Sequence, residues 1–241
     1  MKSSSLKKVA VTGGSSGIGL ACVQSFLHKG FDVISIDKAP ISENMSRHVL
    51  TDLSSMDNLL HLADSFAEYE VDILINAAGI REITPVNNLS LEKWSEVLLV
   101  NLTAPFLLSQ AVAKSLISRQ KPGAIVNIAS VSGIMAEPER AAYVSSKHGL
   151  VGLTKQLAME YGEYGVRVNA VAPGVVKTPM TESYFDDAKV FDLISKAHAM
   201  KRCANPCEIA SVVGFIASEQ ASFMTGAIVP VDGGWTAGKV I

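Results

Sequence analysis

The chain has 241 residues, 48% of them hydrophobic and 18% charged, which suits one α/β domain with a large core and excludes general disorder. A formal net charge of −2 gives no electrostatic basis for nucleic-acid binding. No apolar run reads as long enough to span a membrane, and the polar start Met1-Lys2-Ser3-Ser4-Ser5 is not expected to act as a signal peptide. Cys22, Cys203 and Cys207 are odd in number, and no His or Cys stands near the Cys203/Cys207 pair, so no metal site is expected. They read as thiols of a reducing, cytoplasmic compartment.

Strand–helix alternation runs through the chain. Strands are expected over residues 8–12, 32–37, 48–51, 71–76, 124–130, 166–172 and 227–231. Helices are expected over 17–29, 55–69, 91–119, 139–162 and 206–217, with irregular or short-helical structure over 178–200. Alternation of this kind predicts a parallel sheet with helices on both faces, and right-handed crossovers make it doubly wound.

Between the first strand and helix lies Gly13-Gly14-Ser15-Ser16-Gly17-Ile18-Gly19. A glycine loop leading into a helix aims backbone N–H groups and a positive helix end at a phosphate. The spacing departs from the usual Gly-x-Gly-x-x-Gly dinucleotide fingerprint, and an ordinary strand-to-helix turn would also explain it. The second strand argues for the nucleotide, because it ends in Asp37, where a carboxylate can accept from both ribose hydroxyls of an adenosine. The fourth strand ends in Asn76-Ala77-Ala78-Gly79, whose small side chains leave room in the crevice there. The sixth is halted by Pro173-Gly174, with Val176 and Thr178 just beyond.

Tyr143 and Lys147 stand four residues apart on an expected helix, so they share a face, with Cβ atoms roughly 5–6 Å apart. An ammonium beside a phenol favours the phenolate, so Lys147 is expected to lower Tyr143 from its usual pKa of about 10 and make it a usable acid/base. Ser130 ends the apolar fifth segment, where its hydroxyl can hold a substrate oxygen. A lone Tyr-x-x-x-Lys equally fits a solvated helix surface; the other motifs supply its context.

Thr-Gly-Gly-Ser-Ser-Gly-Ile-Gly, Asn-Ala-Ala-Gly, the Ser130/Tyr143/Lys147 set, Pro-Gly and the closing Val231-Asp232-Gly233-Gly234 occur in order over almost the whole chain. Together they resemble the short-chain dehydrogenase/reductase family. Ala77 stands where Asn is commoner in that family, and a small residue still fits.

The resemblance implies a single Rossmann-type domain over 1–241 with seven strands in the order 3-2-1-4-5-6-7. It implies NAD(H) as cofactor, NADP(H) being disfavoured by Asp37. The pyrophosphate would lie over Gly13, Ser15, Ser16, Gly17, Ile18 and Gly19, and the adenosine by Asp37, Asp52 and Leu53. Asn76, Ala77, Ala78 and Gly79 would border the nucleotide, with Pro173, Gly174, Val176 and Thr178 near the nicotinamide. Lys147 would bond the ribose, Tyr143 exchange the proton and Ser130 orient the substrate oxygen. The carbonyl of Asn101 would hold a relay water. Pro105, which lacks an N–H, frees that carbonyl, although a packing kink explains Pro105 as well.

The helix over 91–119 is apolar on more than one face, which predicts a homo-oligomer, by family habit a tetramer. The substrate is bounded by Ile80-Arg81-Glu82-Ile83, by Ser132 through Pro138, and by Met180, Tyr184, Phe185 and Met200. Arg81 could clamp a carboxylate, but reads first as an exposed loop arginine. The leading expectation is an NAD-dependent dehydrogenase of a small secondary alcohol or its ketone. The alternatives are a 3-oxoacyl-carrier-protein reductase using NADPH and a non-catalytic dinucleotide sensor.

Overall fold

Short runs of β-branched residues build the centre of the fold. In the computed structural model, which describes residues 6–41 and 47–238, seven strands form one parallel sheet in the order β3-β2-β1-β4-β5-β6-β7. The strands are β1 (Lys8–Thr12), β2 (Asp32–Asp37), β3 (Arg47–Leu50), β4 (Ile73–Asn76), β5 (Gly123–Ile128), β6 (Val166–Pro173) and β7 (Ile228–Val231). The expected order and alternation are therefore present. The opening Met1–Ser5, read as too polar for a leader, lies outside the described residues.

Alternate residues along each strand face opposite layers. Val9, Val11, Ile73, Ile75 and Val126 meet helices α1 (Gly17–His28) and α7 (Pro206–Ala217) on one face. Ala10, Ile34, Leu74 and Ile125 meet α2 (Met56–Tyr69), α4 (Ala104–Ser118) and α5 (Ala141–Tyr161) on the other. A side chain such as Phe66 or Leu108, fully buried here, contributes roughly 1.5–3 kcal/mol by leaving water. Pro230 sits on the edge strand β7, where its missing N–H costs no ladder bond on the open side.

Strand order reverses between β1 and β4, and the strand ends there are level, with Thr12 opposite Ile36 on one side and Asn76 on the other. A crevice at such a switch point is where open α/β sheets bind ligands.

Residues 91–119 differ from the single regular helix expected. They form α3 (Leu91–Leu98), a π-helical turn Leu99–Thr103, and α4. The run Leu91–Ser118 is long and apolar enough to cross a membrane, which corrects the reading that no segment has that length. Half of its most apolar window is buried inside the fold, so the apolar residues are used in packing. The stretch over 178–200 holds a 3-10 turn, Pro179–Tyr184, and α6 (Ala188–Ala197).

Candidate active site

The glycine loop is shaped by what surrounds it. Gly13 has φ +70, and a Cβ there would stand 2.8 Å from the Ala78 Cα. A Cβ on Gly19 would lie 2.0 Å from the Gly13 carbonyl oxygen. Both positions therefore require glycine: the first for its left-handed backbone, the second for close packing of α1 on the loop. The Ser16 side chain makes no cap bond to α1, so it leaves the helix's first N–H groups to a ligand in the cleft.

That cleft has a volume of about 290 Å³ and is lined by Gly13, Ser16, Gly17, Ile18, Gly19 and Asp37, then by Asp52, Leu53, Ala77, Ala78, Gly79 and Pro173, and by Thr178. Ser130, Tyr143 and Lys147 close its far end. Asp37 accepts the N–H groups of Ser15 and Ala39, both at 3.0 Å, which fixes its carboxylate at the end of β2. Hydrogen bonds from the Ser54 N–H and hydroxyl hold the Asp52 carboxyl below its usual range.

Four of the residues expected to border the nucleotide are not among those lining this cleft. Ser15 gives its N–H to Asp37 and its hydroxyl to the Ala39 carbonyl. Asn76 is buried, and its amide donates to Ser109 Oγ at 3.2 Å and to Asn127 Oδ1 at 2.8 Å. Asn127 in turn donates to Thr154 on α5, so Asn76 ties the sheet to that helix. Gly174 borders a different cavity, beside His198 and Asp232. Val176 is in the core and bridged to Ala204. Thr12, not singled out from the sequence, accepts the N–H groups of both Ala77 and Ala78 at 3.1 Å, which sets the wall of the cleft.

Ser130 lies two residues beyond the end of β5, capping the turn Val131–Gly133. Its hydroxyl donates to Ser132 Oγ at 3.2 Å and accepts the Ser132 N–H at 3.1 Å, and it lines the cleft together with Tyr143. Lys147 is 4% exposed and donates from Nζ to the Ile128 carbonyl at 2.8 Å. Its Nζ stands 5.7 Å from the centre of the Tyr143 ring. Burial lowers Lys147 to about 8.

The expected lowering of Tyr143 by Lys147 is corrected. Burial raises the phenol, and Glu137 adds to the rise; Ser130, Arg81 and Arg140 pull it down by less. Sequence spacing placed the ammonium on the right face but carried no measure of how far the phenol is withdrawn from water.

Asn101 sits in the π turn and is fully buried. Its side chain pairs with the backbone of Ile80, accepting from N at 2.9 Å and donating to O at 2.8 Å, and also donates to Ser146 Oγ at 3.1 Å. Ser146 Oγ donates to the Tyr143 carbonyl at 2.7 Å. The loop after β4 is thus tied to the helix that carries Tyr143. Glu82, placed with the substrate-facing loop from the sequence, instead turns inward and accepts the N–H groups of Ala142 and Tyr143.

A second cavity of about 200 Å³ adjoins the first and shares Ser130, Tyr143 and Met180 with it. Arg81, Ser132, Glu137 and Arg140 form its polar side; Val131, Val175, Ile194 and Trp235 form its apolar side. Arg81 is half-buried, with its guanidinium 4.5 Å from the centre of the Tyr184 ring, which corrects the exposed-arginine expectation. Phe185 pairs with Phe191, and Met200 borders the cavity around His198, so neither bounds this space. Trp235 went unnoticed in the sequence; a large aromatic just after Gly233-Gly234 was the available signal.

A family model described as enoyl-(acyl carrier protein) reductase matches residues 13–236. The chain belongs to the short-chain dehydrogenase/reductase family. It is 36% identical over 243 residues to D-threitol dehydrogenase of Mycolicibacterium smegmatis, covering 95% of this chain and 93% of that protein. A solved 4-hydroxyisoleucine dehydrogenase complexed with NADH is 46% identical, with a TM-score of 0.93 over 97% of this chain and 100% of that one. A solved putative NAD(P) dependent gluconate 5-dehydrogenase of Beutenbergia cavernae, with bound NADP, is 34% identical, with a TM-score of 0.92 over 96% and 97%. As a short-chain dehydrogenase/reductase, this chain is an NAD(P)-dependent oxidoreductase acting on CH–OH groups. The glycine cradle and the cleft beside Asp37 suit a dinucleotide.

Proposed function

We propose that the chain interconverts a small secondary alcohol and its ketone with NAD(H) preferred over NADP(H), and that Tyr143 exchanges the proton. The observation that carries this reading is that Ser130 and Tyr143 line both cavities, at the junction of the nucleotide cleft and the smaller space. A bound nicotinamide supplies the hydride chemistry. In oxidation the carbinol C–H bond breaks with its electron pair leaving as hydride, and the O–H proton passes to the Tyr143 oxygen. In reduction the same atoms move the other way. Burial keeps the phenol protonated near neutral pH, which suits donation to a carbonyl, while Arg81 and Arg140 favour the phenolate needed for oxidation.

Ser130 orients the substrate oxygen, and Lys147 takes the nicotinamide ribose from the far end of the cleft. Gly13, Ser16, Gly17, Ile18 and Gly19 hold the pyrophosphate. Asp37 accepts from the adenosine ribose, and its charge repels a 2′-phosphate. Asn101 fixes the loop through Ile80, with its carbonyl assigned to a relay water. The protein acts in the cytoplasm as a homotetramer. Support for assembly comes from α4, whose Phe106 is 40% exposed beside half-buried Leu102 and Leu107.

A 3-oxoacyl-carrier-protein reductase remains the second reading, favoured by 35% identity to such an enzyme of Chlamydia trachomatis; Asp37 opposes the NADPH such enzymes use. The deciding experiment pairs Tyr143→Phe with the wild type on a panel of secondary alcohols and ketones. Turnover should fall by about three orders of magnitude or more with nucleotide affinity retained. Near wild-type kcat in the variant would remove Tyr143 from its role.

A further inference from the structure

The smaller cavity carries an imbalance of charge that turnover of a neutral alcohol does not explain. Two guanidinium groups, Arg81 and Arg140, face it with one carboxylate, Glu137. Arg140 is matched: its Nε meets Glu137 Oε2 at 2.8 Å, and Nη2 donates to the Tyr184 hydroxyl. Glu137 is partnered on its other oxygen too, accepting from Ser132 Oγ at 2.6 Å. Arg81 has no carboxylate within 4.0 Å among the described residues; its guanidinium is stacked on the Tyr184 ring. One positive charge is therefore left over in a half-buried site beside Ser130 and Tyr143.

The backbone that presents Arg81 is fixed on both sides. Ile80 is bonded at N and O by Asn101, Glu82 is anchored on the N-terminus of α5, and the Thr84 N–H donates to the Glu139 carbonyl at 2.8 Å. The bridge between Thr84 and Arg140 brings the two arginines to the same wall. A surface arginine has no need of such support. An arginine that must meet a planar anion at a set distance from the reacting oxygen does, because its donors work as a rigid fork. The opposite wall, Val131, Val175, Ile194 and Trp235, is apolar, which suits a short aliphatic chain.

Building on the proposed function, we infer that the substrate is a small aliphatic hydroxy- or oxo-carboxylate, with Arg81 receiving its carboxylate while the carbinol carbon lies at Tyr143. Arg81 is then the residue that sets specificity. The Glu137–Arg140 pair, already neutral, shapes the wall and holds Tyr184 beneath the Arg81 guanidinium.

The test uses the full chain and pairs of compounds that differ in charge: 3-hydroxybutanoate against 3-hydroxybutanamide, and 4-hydroxypentanoate against 4-hydroxypentanamide, each with NAD⁺. The wild type should favour the carboxylate of at least one pair by about 50-fold in kcat/KM, the size expected for a charge-assisted bidentate contact. Arg81→Met should bring that ratio close to one, mainly through KM, and Arg81→Lys should restore part of it. Amides used as well as carboxylates, or a ratio unchanged in Arg81→Met, would overturn the inference while leaving the dehydrogenase reading intact. Calorimetric titration of pentanoate and pentanamide into the NADH-saturated protein gives an arm independent of turnover. Pentanoate should bind at least about tenfold more tightly, and only when Arg81 is present. Equal binding, or none, counts against the inference; discrimination without turnover of any alcohol counts against the proposed function instead.

Discussion

Glu82 holds the start of the helix that carries Tyr143: its carboxylate takes the Tyr143 N–H at 3.0 Å and the Ala142 N–H at 2.6 Å. These are N–H groups that the helix itself leaves without partners, and Arg140 at the cap position makes no side-chain bond to them. A carboxylate there also complements the positive end of the helix. Glu82 therefore acts on the chemistry through position.

Replacing Glu82 by Gln puts an amide donor where the helix presents donors. The loss should be about 2 kcal/mol, the scale of a buried hydrogen bond to a charged group. For a chain of this size that is a fall of roughly 4–8 °C in Tm. Because α5 sets the direction of Tyr143, kcat should drop by about tenfold with nucleotide affinity nearly unchanged, whereas a purely structural role would leave kcat of the folded fraction alone.

Lys147 should trade stability for function. Its pKa falls from 10.5 to about 8 through burial, a displacement equivalent to roughly 3 kcal/mol against the folded state. The sign follows from proton binding. Below pH 8 the lysine is charged in both states and the penalty is complete; between about 8 and 10.5 the unfolded chain holds more protons, so stability rises with pH. Lys147→Met removes this dependence. The variant should lack turnover, and its stability advantage in urea should shrink by roughly 3 kcal/mol between pH 7 and 10.5. Losing the bond to the Ile128 carbonyl offsets part of the gain at every pH by a constant amount.

Coenzyme choice should rest on Asp37. Its carboxylate is fixed by the Ser15 and Ala39 N–H groups, so it cannot swing away from a 2′-phosphate. Steady-state assays should give at least about a tenfold advantage in kcat/KM to NAD(H), and Asp37→Asn should erase most of it. A wild type that favours NADPH would support the carrier-protein reductase reading.

The assembly prediction is read by light scattering. At micromolar concentration the mass should be about four times 25.6 kDa; a value at the monomer mass would contradict it.

Much of this architecture is legible in the sequence because burial leaves a mark on composition. β1 and β2 fall on their expected residues, since both are short runs of Val and Ile flanked by polar or turn residues. β3 starts one residue early and has no buried position, so it carries little pattern. The glycine loop, Ser130, Tyr143 and Lys147 share the large cleft as the motifs implied. What the sequence hides is long-range or energetic. Glu82 meets α5 across about sixty residues, and no local rule joins them. Asn76 looks like a ligand contact because its strand ends at the crevice, yet its amide turns into the sheet. The direction of the Tyr143 shift depends on desolvation, which spacing along a helix does not encode.

The π turn at Leu99–Thr103 has a bearing on how this chain can vary. It lies where Pro105 already withholds an N–H, and it admits one residue more than an α-helical turn would. The two halves of the long helical run are thereby out of phase: Asn101 faces Ile80, while Leu108, Val112 and Leu116 face the sheet. Deleting any one residue there would restore regular pitch and rotate one half by about 100° against the other. Either the loop beside Tyr143 or the sheet would lose its contacts. Side chains in this stretch can be exchanged within their packing limits; its length cannot.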